Sequence, residues 1–415
     1  MSGSDTGGRP EEGIVDDRPS LAVFGRTADA WFAEHGRPAN MSLSRSLDPA
    51  AHVAAARKYQ RGLHDAGLAG ITWPRQYGGL GLGAEFQRAF EQAARGHETF
   101  GDVFTIGLGM CAPVLLALGT DQQKRRYIRP MLRGDEVWCQ LFSEPGAGSD
   151  LASLATAAVA DGDGWVVSGQ KVWTTYAQHS DFGLLLARTD ASVRKHLGIT
   201  MFVADMRSAG ITIRPLRQAT GDQEFNEVFF DDVAIPAQNL VGAPGNGWRA
   251  ATLMLMNERA ALAGGPISSP VTLAAVTELI RNRGRQDDPV IRMRLAQAYV
   301  AQRGADLFAE RIAAQVAAGD EPGSFASIGK LAAGRVARQV AALALDVAGL
   351  DAIAWDPTEP DGSLWAYGEL YAPSLSIAGG TDNIQRTILG ERVLGLPREP
   401  QPDRDTPFRE LRRSP

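Results

Sequence analysis

The sequence predicts an α+β protein in three parts: an N-terminal all-α domain, a middle β-barrel domain and a C-terminal four-helix bundle. Periodicity carries the prediction. Apolar residues recur at helical spacing in the first and last thirds, and the stretch between them breaks into short β-branched or aromatic runs separated by turns. The length of 415 residues, well beyond that of a usual single domain, adds the expectation of several cores.

Residues 1–20, MSGSDTGGRPEEGIVDDRPS, are polar, Gly-rich and acidic, without the basic start and apolar run of a secretory signal, and read as a flexible tail. Residues 21–138 form the helical block, as in HVAAARKYQRGLHDAGLAGI, with Pro or Gly at its breaks (WPRQYGGLGLG, CAPVLLALGTD). Residues 139–241 carry the runs GWVVSG, FGLLLART, GITMFVADM, GITIRPL and NEVFFDDVAIP, which predict about six strands in a small barrel or sandwich. Helical periodicity returns over 242–398, through WRAATLMLMNERAALAGG and SIGKLAAGRVARQVAALALDVAG, and reads as an antiparallel bundle. Residues 399–415 are charged and Pro-rich and are expected to be a second flexible tail.

Composition excludes several functions. An apolar fraction of 44% and a charged fraction of 22% are ordinary for a globular chain, and a net charge of -6 gives no reason to bind nucleic acid. Only Cys111 and Cys139 are present, which suits a reducing compartment and ordinary buried thiols, so a cytoplasmic location is expected. No stretch of about 18 apolar residues is free of charge or Gly, so no membrane span is expected. The six histidines have no metal-ligand spacing, and no nucleophile motif for hydrolysis occurs. No GxGxxG follows a strand, so a redox cofactor would have to be held by something other than a doubly wound fold.

Three segments carry candidate chemistry. In QLFSEPGAGSD (140–150), Gly146 and Gly148 let backbone approach a ligand, and Ser143 and Ser149 offer hydroxyls; taken alone, the segment also reads as a plain turn. In SGQKVWTTYA, Trp173 and Thr175 are expected two apart on one strand face, a flat aromatic beside a hydroxyl that suits an isoalloxazine ring, or simply a core tryptophan. Glu258 stands in the apolar run LMLMNERAALAGG. It reads either as a surface carboxylate or as a functional acid, since a lone charge buried there would cost several kcal/mol unless paired. Burial would raise its pKa toward that of a general base.

Together these segments resemble the acyl-CoA dehydrogenase family, over roughly residues 21–398 and in the same α, β, α order. The resemblance implies an FAD enzyme. It implies that Phe142 and Ser143 meet the pyrimidine side of the flavin, that Gly148 and Ser149 lie nearer the ribityl and phosphate, and that Trp173 and Thr175 flank the ring near N5. The stretch IAGGTDNIQRTILGERVLGLP resembles the family's Gly-Thr-x-x-Ile-x-Arg segment, which makes Thr381 and Asn383 cofactor contacts. Medium-chain and short-chain members carry their catalytic Glu just before that Gly-Thr, where this chain has Gly379. Isovaleryl and long-chain members place the base on an earlier bundle helix, and Glu258 matches that position, with Arg259 beside the acyl thioester pocket.

The implied reaction is α,β-dehydrogenation: Glu258 removes the α-proton, the β-hydrogen leaves as hydride to flavin N5, and the Gly379 backbone N–H helps to hold the thioester oxygen. Electrons would pass to an electron-transfer flavoprotein. The family's adenine-end stretches, Arg-x-x-Phe-Gly and Gln-x-x-Gly-Gly-x-Gly, are poorly matched by LIRNRGRQDDP, with Arg283 at the Phe position and the leading Arg displaced to about Arg281, and by LDVAGLDAI, which keeps only Gly349. Heteromeric members acting on steroid side chains show similar erosion, and WPRQYGG at 73–79 also looks like that group. Both a homo-oligomer (dimer or tetramer) and a heterotetramer with a related subunit therefore stay open. Rival readings are a flavin monooxygenase or oxidase on the same fold, against which Glu258 argues, and a silent partner subunit, against which Ser143, Ser149 and Glu258 argue. Room near the α and β carbons admits branched, long or polycyclic acyl chains.

Overall fold

A computed structural model of the chain describes residues 18–37, 48–264, 269–317, 323–354, 362–400 and 403–411. The N-terminal region is helical, and its helix starts follow from local chemistry. Helix α1 (Leu21–His35) begins where the Ser20 hydroxyl accepts from Val23 N, and α2 (Pro49–Asp65) where the Asp48 carboxylate accepts from Ala51 N with Pro at the first turn. After α3 (Ala84–Ala93) comes α4 (Gly101–Leu118), and α5 (Asp121–Arg133) opens with a reciprocal capping box between Thr120 and Gln123. Helix α4 contains one π turn, Gly107–Cys111, closed by Ala112 N donating to Gly107 O.

Among the described residues α4 is the one helix long and apolar enough to cross a membrane. It is a core helix. Met110, Cys111, Ala112, Val114 and Leu115 lie in the cluster that also holds Trp138, Phe142 and Met254. Asp102 in its first turn is tied to His52 of α2 at 2.7 Å. Both cysteines are free and buried, and burial pushes the Cys139 thiol up to about 12.

The middle region is one eight-stranded sheet: β1 (Trp138–Leu141), β2 (Ala157–Asp161), β3 (Gly164–Lys171), β4 (Phe182–Arg188), β5 (Ile199–Asp205), β6 (Ile211–Pro215), β7 (Asn226–Pro236) and β8 (Leu240–Val241). The strand order is β6-β7-β3-β2-β4-β5-β8, with β1 parallel to β4. The expected closed barrel is not what forms. The terminal strands β6 and β8 do not pair; β8 is two residues long and meets only β5 before α6 begins, too short to complete a ring. The halves are joined by a single pair, Ala157 with Arg188, and fold over a shared core in which Val167, Val228 and Phe230 meet Leu185 and Phe202. The Trp165 and Phe202 rings touch across it at 5.4 Å.

The register of β4 decides where the site can be. One edge of β4 pairs with β5; the other pairs first with β1, as far as Leu141 with Leu185, and then with β2, at Ala157 with Arg188. Residues 142–156, which include EPGAGSD, therefore leave the sheet through a gap in one strand edge and return to it.

The C-terminal region is helical: α6 (Gly247–Gly264), α7 (Leu273–Asn282), α8 (Pro289–Ala317), α9 (Ala326–Ala348), α10 (Gly362–Tyr371) and α11 (Asp382–Ile388). Helix α9 is its axis, burying Val336, Val340, Leu343, Ala344 and Val347 at helical spacing and touching each of the other five. Residues 403–411, expected to be loose, instead dock on the middle region, because Phe408 is apolar and finds a buried seat there. Most of the expected N-terminal tail lies outside the described residues.

Phe202→Ala should lower unfolding free energy by about 3–5 kcal/mol, because its ring is fully buried between the two halves of the sheet. Denaturant titration reads this directly; a loss under 1 kcal/mol would mean the halves do not share a core.

Candidate active site

The excursion 142–156 is held from below by one buried cation. Lys171, the last residue of β3, has no exposed side-chain surface; its Nζ donates to Phe142 O at 3.0 Å and to Glu144 Oε1 at 2.7 Å. Glu144 in turn accepts from Ala155 N (2.6 Å) and Thr156 N (2.9 Å), so both ends of the excursion meet at its carboxylate. Glu144 and Ala147 also exchange backbone bonds, closing the Pro145-Gly146 turn. Burial alone would raise the Glu144 carboxyl, but the Lys171 charge and these donors hold it below the usual range. Burial pushes the Lys171 ammonium down to about 8 against the pull of Glu144.

Above this clamp the polar and flat groups are uncovered. Ser143 is half-buried, Gly148 and Ser149 are exposed, and a Cβ at Gly146 or Gly148 would meet nothing within 4 Å. Those glycines face open space rather than protein. Phe142 is buried in the central cluster, its carbonyl presented to Lys171.

Trp173 and Thr175 differ from the strand expected of them. The chain leaves β3 at Lys171; Val172 N then donates to Ser143 O at 2.9 Å and Thr174 N to Asn226 O at 3.1 Å, so the backbone turns out of the ladder. Trp173 takes φ 61 and Tyr176 φ 54, left-handed conformations that cost about 1–3 kcal/mol each. The indole of Trp173 is 60% exposed, with its edge on Phe225, and Thr175 is half-buried two residues on. A large aromatic held in strained backbone beside Ser143, with its face uncovered, fits a planar ligand ring better than it fits a core.

Tyr176 anchors the strained turn to the N-terminal region. Its hydroxyl donates to Asp102 at 2.8 Å, and Asp102 also meets His52. The Asp102 bond raises the His52 imidazole above its ordinary value despite burial. This network, like Lys171, was not singled out from the sequence, since its members are far apart in the chain and carry no motif.

Glu258 lies on α6, one turn beyond Met254, which is fully buried; Glu258 is half-buried on that face. Helix α6 packs on β4, β5 and the π turn of α4 as well as on α9, so the helix that carries Glu258 touches all three regions. Arg259 falls outside the residues whose side chains are described. Gly379 (φ 66) and Gly380 (φ 91) form a left-handed pair whose carbonyls accept from the buried Gln385 Nε2 at 2.8 and 3.3 Å. Thr381 caps α11 by accepting from Ile384 N, and Asn383 Oδ1 accepts from Arg386. Phe142, Ser143, Trp173 and Thr175 are thus brought together, and Phe142 shares a core with the helix of Glu258. No hydrogen bond among the described residues links them to Gly379, Thr381 or Asn383, which sit on α11 and the turn before it, against α9.

Family models cover nearly the whole architecture: the acyl-CoA dehydrogenase N-terminal domain matches residues 25–135, the middle domain 139–233 and the C-terminal domain 245–394. The chain belongs to the acyl-CoA dehydrogenase family. Among its relatives is the acyl-CoA dehydrogenase IpdE1 of Mycobacterium tuberculosis, 40% identical over 346 residues, which span 83% of this chain and 88% of that one. FadE34 of the same organism is also 40% identical, over 84% of this chain, though the chain spans only about half (48%) of that protein. Among solved structures, the Tcur3481-Tcur3483 steroid acyl-CoA dehydrogenase superposes with a TM-score of 0.77 at 25% identity, covering 92% of this chain and 99% of that one. The ChsE4-ChsE5 complex from Mycobacterium tuberculosis gives 0.74 at 27%, with the same coverage. As an acyl-CoA dehydrogenase, the chain takes the family's flavin-dependent dehydrogenation as its reaction class.

In this acyl-CoA dehydrogenase Lys171→Met would strand the Glu144 charge under the candidate cofactor segment. It should cost about 3–5 kcal/mol in denaturant unfolding, and adding Glu144→Gln should restore part of the loss. Equal stability of wild type and single variant would remove the clamp.

Proposed function

We propose that this chain dehydrogenates an acyl-CoA thioester between Cα and Cβ, with Glu258 as the base, FAD as the oxidant and an electron-transfer flavoprotein as the acceptor. The supporting observation is that Glu258 is half-buried one turn beyond the fully buried Met254, on the helix that packs against the middle sheet, α4 and α9. Met254, one turn earlier, and Leu255, three residues earlier, set apolar groups on the same side of the helix. The Gly379 backbone N–H is assigned to the thioester oxygen, polarising the carbonyl so that the α-proton becomes acidic enough for a carboxylate to take.

The open glycines, the free faces of Ser143 and Ser149, and the uncovered Trp173 indole fit FAD. When bound, FAD supplies the hydride acceptor. Phe142 and Ser143 are assigned to the pyrimidine side, Gly148 and Ser149 to the ribityl and phosphate, Trp173 and Thr175 to the ring edge near N5, and Thr381 and Asn383 to the remainder; Arg259 is assigned to the substrate pocket. Because relatives include steroid acyl-CoA dehydrogenases, and Gly379 leaves space beside the reacting carbons, the favoured substrate is a branched or polycyclic acyl chain.

Assembly with a second, related chain is favoured by one contact. Arg283 and Asp351, from the two eroded adenine-end stretches, pair with each other at 2.5 Å, and Arg285 donates to Asp346 O at 2.8 Å. Both contacts tie together the two stretches that the resemblance assigns to a neighbour's adenine, and two solved relatives are two-protein assemblies by name.

Two measurements test these readings. Glu258→Gln keeps the shape and removes the base, so anaerobic bleaching of flavin by an acyl-CoA panel should slow by about 10²–10⁴-fold; reduction at the wild-type rate would eliminate Glu258. For the chain purified alone, the expected flavin content is well below one per protomer, rising when a related chain is co-expressed, whereas a fully yellow homo-oligomer would refute the need for a partner.

A further inference from the structure

We propose that the C-terminal strap, residues 403–411, is a positioning element for the cofactor-side segment and acts through Arg188. This rests on the reading of 142–149 as the flavin-facing segment. The strap lies beyond the residues matched by the family's C-terminal model, which end at 394.

The chain of contacts is short. Arg188, the last residue of β4, is 5% exposed and uses its guanidinium as a three-way bracket: Nε donates to Leu154 O (3.0 Å), Nη2 to Ala152 O (2.7 Å) and Nη1 to Lys195 O (3.0 Å). Its backbone N donates to Thr156 O at 2.7 Å. The returning limb of the excursion is thus pinned by the Arg188 side chain at Ala152 and Leu154, next to the Glu144 bonds at Ala155 and Thr156. Lys195, whose carbonyl occupies the third arm, reaches back with Nζ to both Asp150 oxygens (2.9 and 2.7 Å), and Asp150 follows Ser149 directly. Ser153 Oγ donates to the same carboxylate.

Phe408 covers this bracket. Its ring centre lies 3.4 Å from Arg188 Cζ, and it is 5% exposed. Phe408 N donates to Val193 O at 2.9 Å and Arg409 N to Ala191 O at 3.0 Å, so the strap runs alongside the loop that carries Lys195. The Arg194–Asp405 ion pair is exposed and adds little. An aromatic face over a guanidinium attracts the cation and keeps water from competing for the donors that hold the three carbonyls. Without Phe408, water reaches Arg188 and the limb 150–156 loosens.

Three proteins test this: the chain ended at Pro400, Phe408→Ala, and the conservative Phe408→Tyr. Amide hydrogen exchange without flavin is expected to quicken at 151–156 and 191–195 in the first two and to return toward wild type in the third. FAD affinity of the reconstituted protein should weaken about tenfold, the scale of one buried cation–π contact, while kcat at saturating FAD stays within about twofold. Unchanged exchange at 151–156 in both Phe408→Ala and the shortened chain overturns the proposal, as does altered exchange with FAD affinity unmoved in a wild-type protein that binds FAD. Faster exchange in a wild-type background that binds no FAD would leave the strap as the bracket's cover and defeat the cofactor reading instead.

Discussion

The arrangement depends on an ammonium group with no route to water. Lys171 must offset its own desolvation, and it does so through a carboxylate and a carbonyl that both belong to the excursion 142–156. An apolar residue of similar length would fill the space yet leave the Phe142 carbonyl and the Glu144 carboxylate without a common donor. The pair therefore gives the segment shape more than it gives the fold stability.

That shape matters because of how the sheet is built. A continuous partner along β4 would hold 142–156 as ordinary strand with its amides paired; the gap between β1 and β2 releases them. The released segment is then fixed by side chains on β3 and β4, Lys171 from one side and Arg188 from the other, rather than by a ladder. The neighbouring turn at Trp173 is held in strained backbone by Ser143, Asn226 and the Tyr176–Asp102–His52 chain. Rigid elements carry the loops, and the loops carry the exposed chemistry.

The order of regions was legible because period 3.6 and period 2 patterns separate cleanly in this chain, and the segments around Ser143, Trp173 and Glu258 were legible as residue types out of place. Sheet closure was not, since inward and outward alternation is the same in a barrel and an open fold; the two-residue β8 decides it, and its length is invisible in sequence. Trp173 was read as strand because WTTY has strand propensity, whereas the hydrogen bond from Val172 to Ser143 overrides that propensity with a tertiary contact. Phe408 was lost in a charged, Pro-rich context that composition alone assigns to a tail, and Arg188 gave no motif at all. Long-range partners such as these are set by topology, which periodicity does not encode.

The π turn at Gly107–Cys111 makes α4 two half-helices with a fixed angular offset. Each residue of an α-helix advances by about 100°, and the wide turn takes in one residue more than an α turn, so everything before it is rotated by about 100° relative to an unbroken spiral of the same residues. In such an unbroken spiral Asp102 would point away from both His52 and Tyr176 while the apolar half stayed seated against Trp138 and Met254. One wide turn in an apolar helix is in this way the angular setting by which the N-terminal region addresses the tryptophan turn.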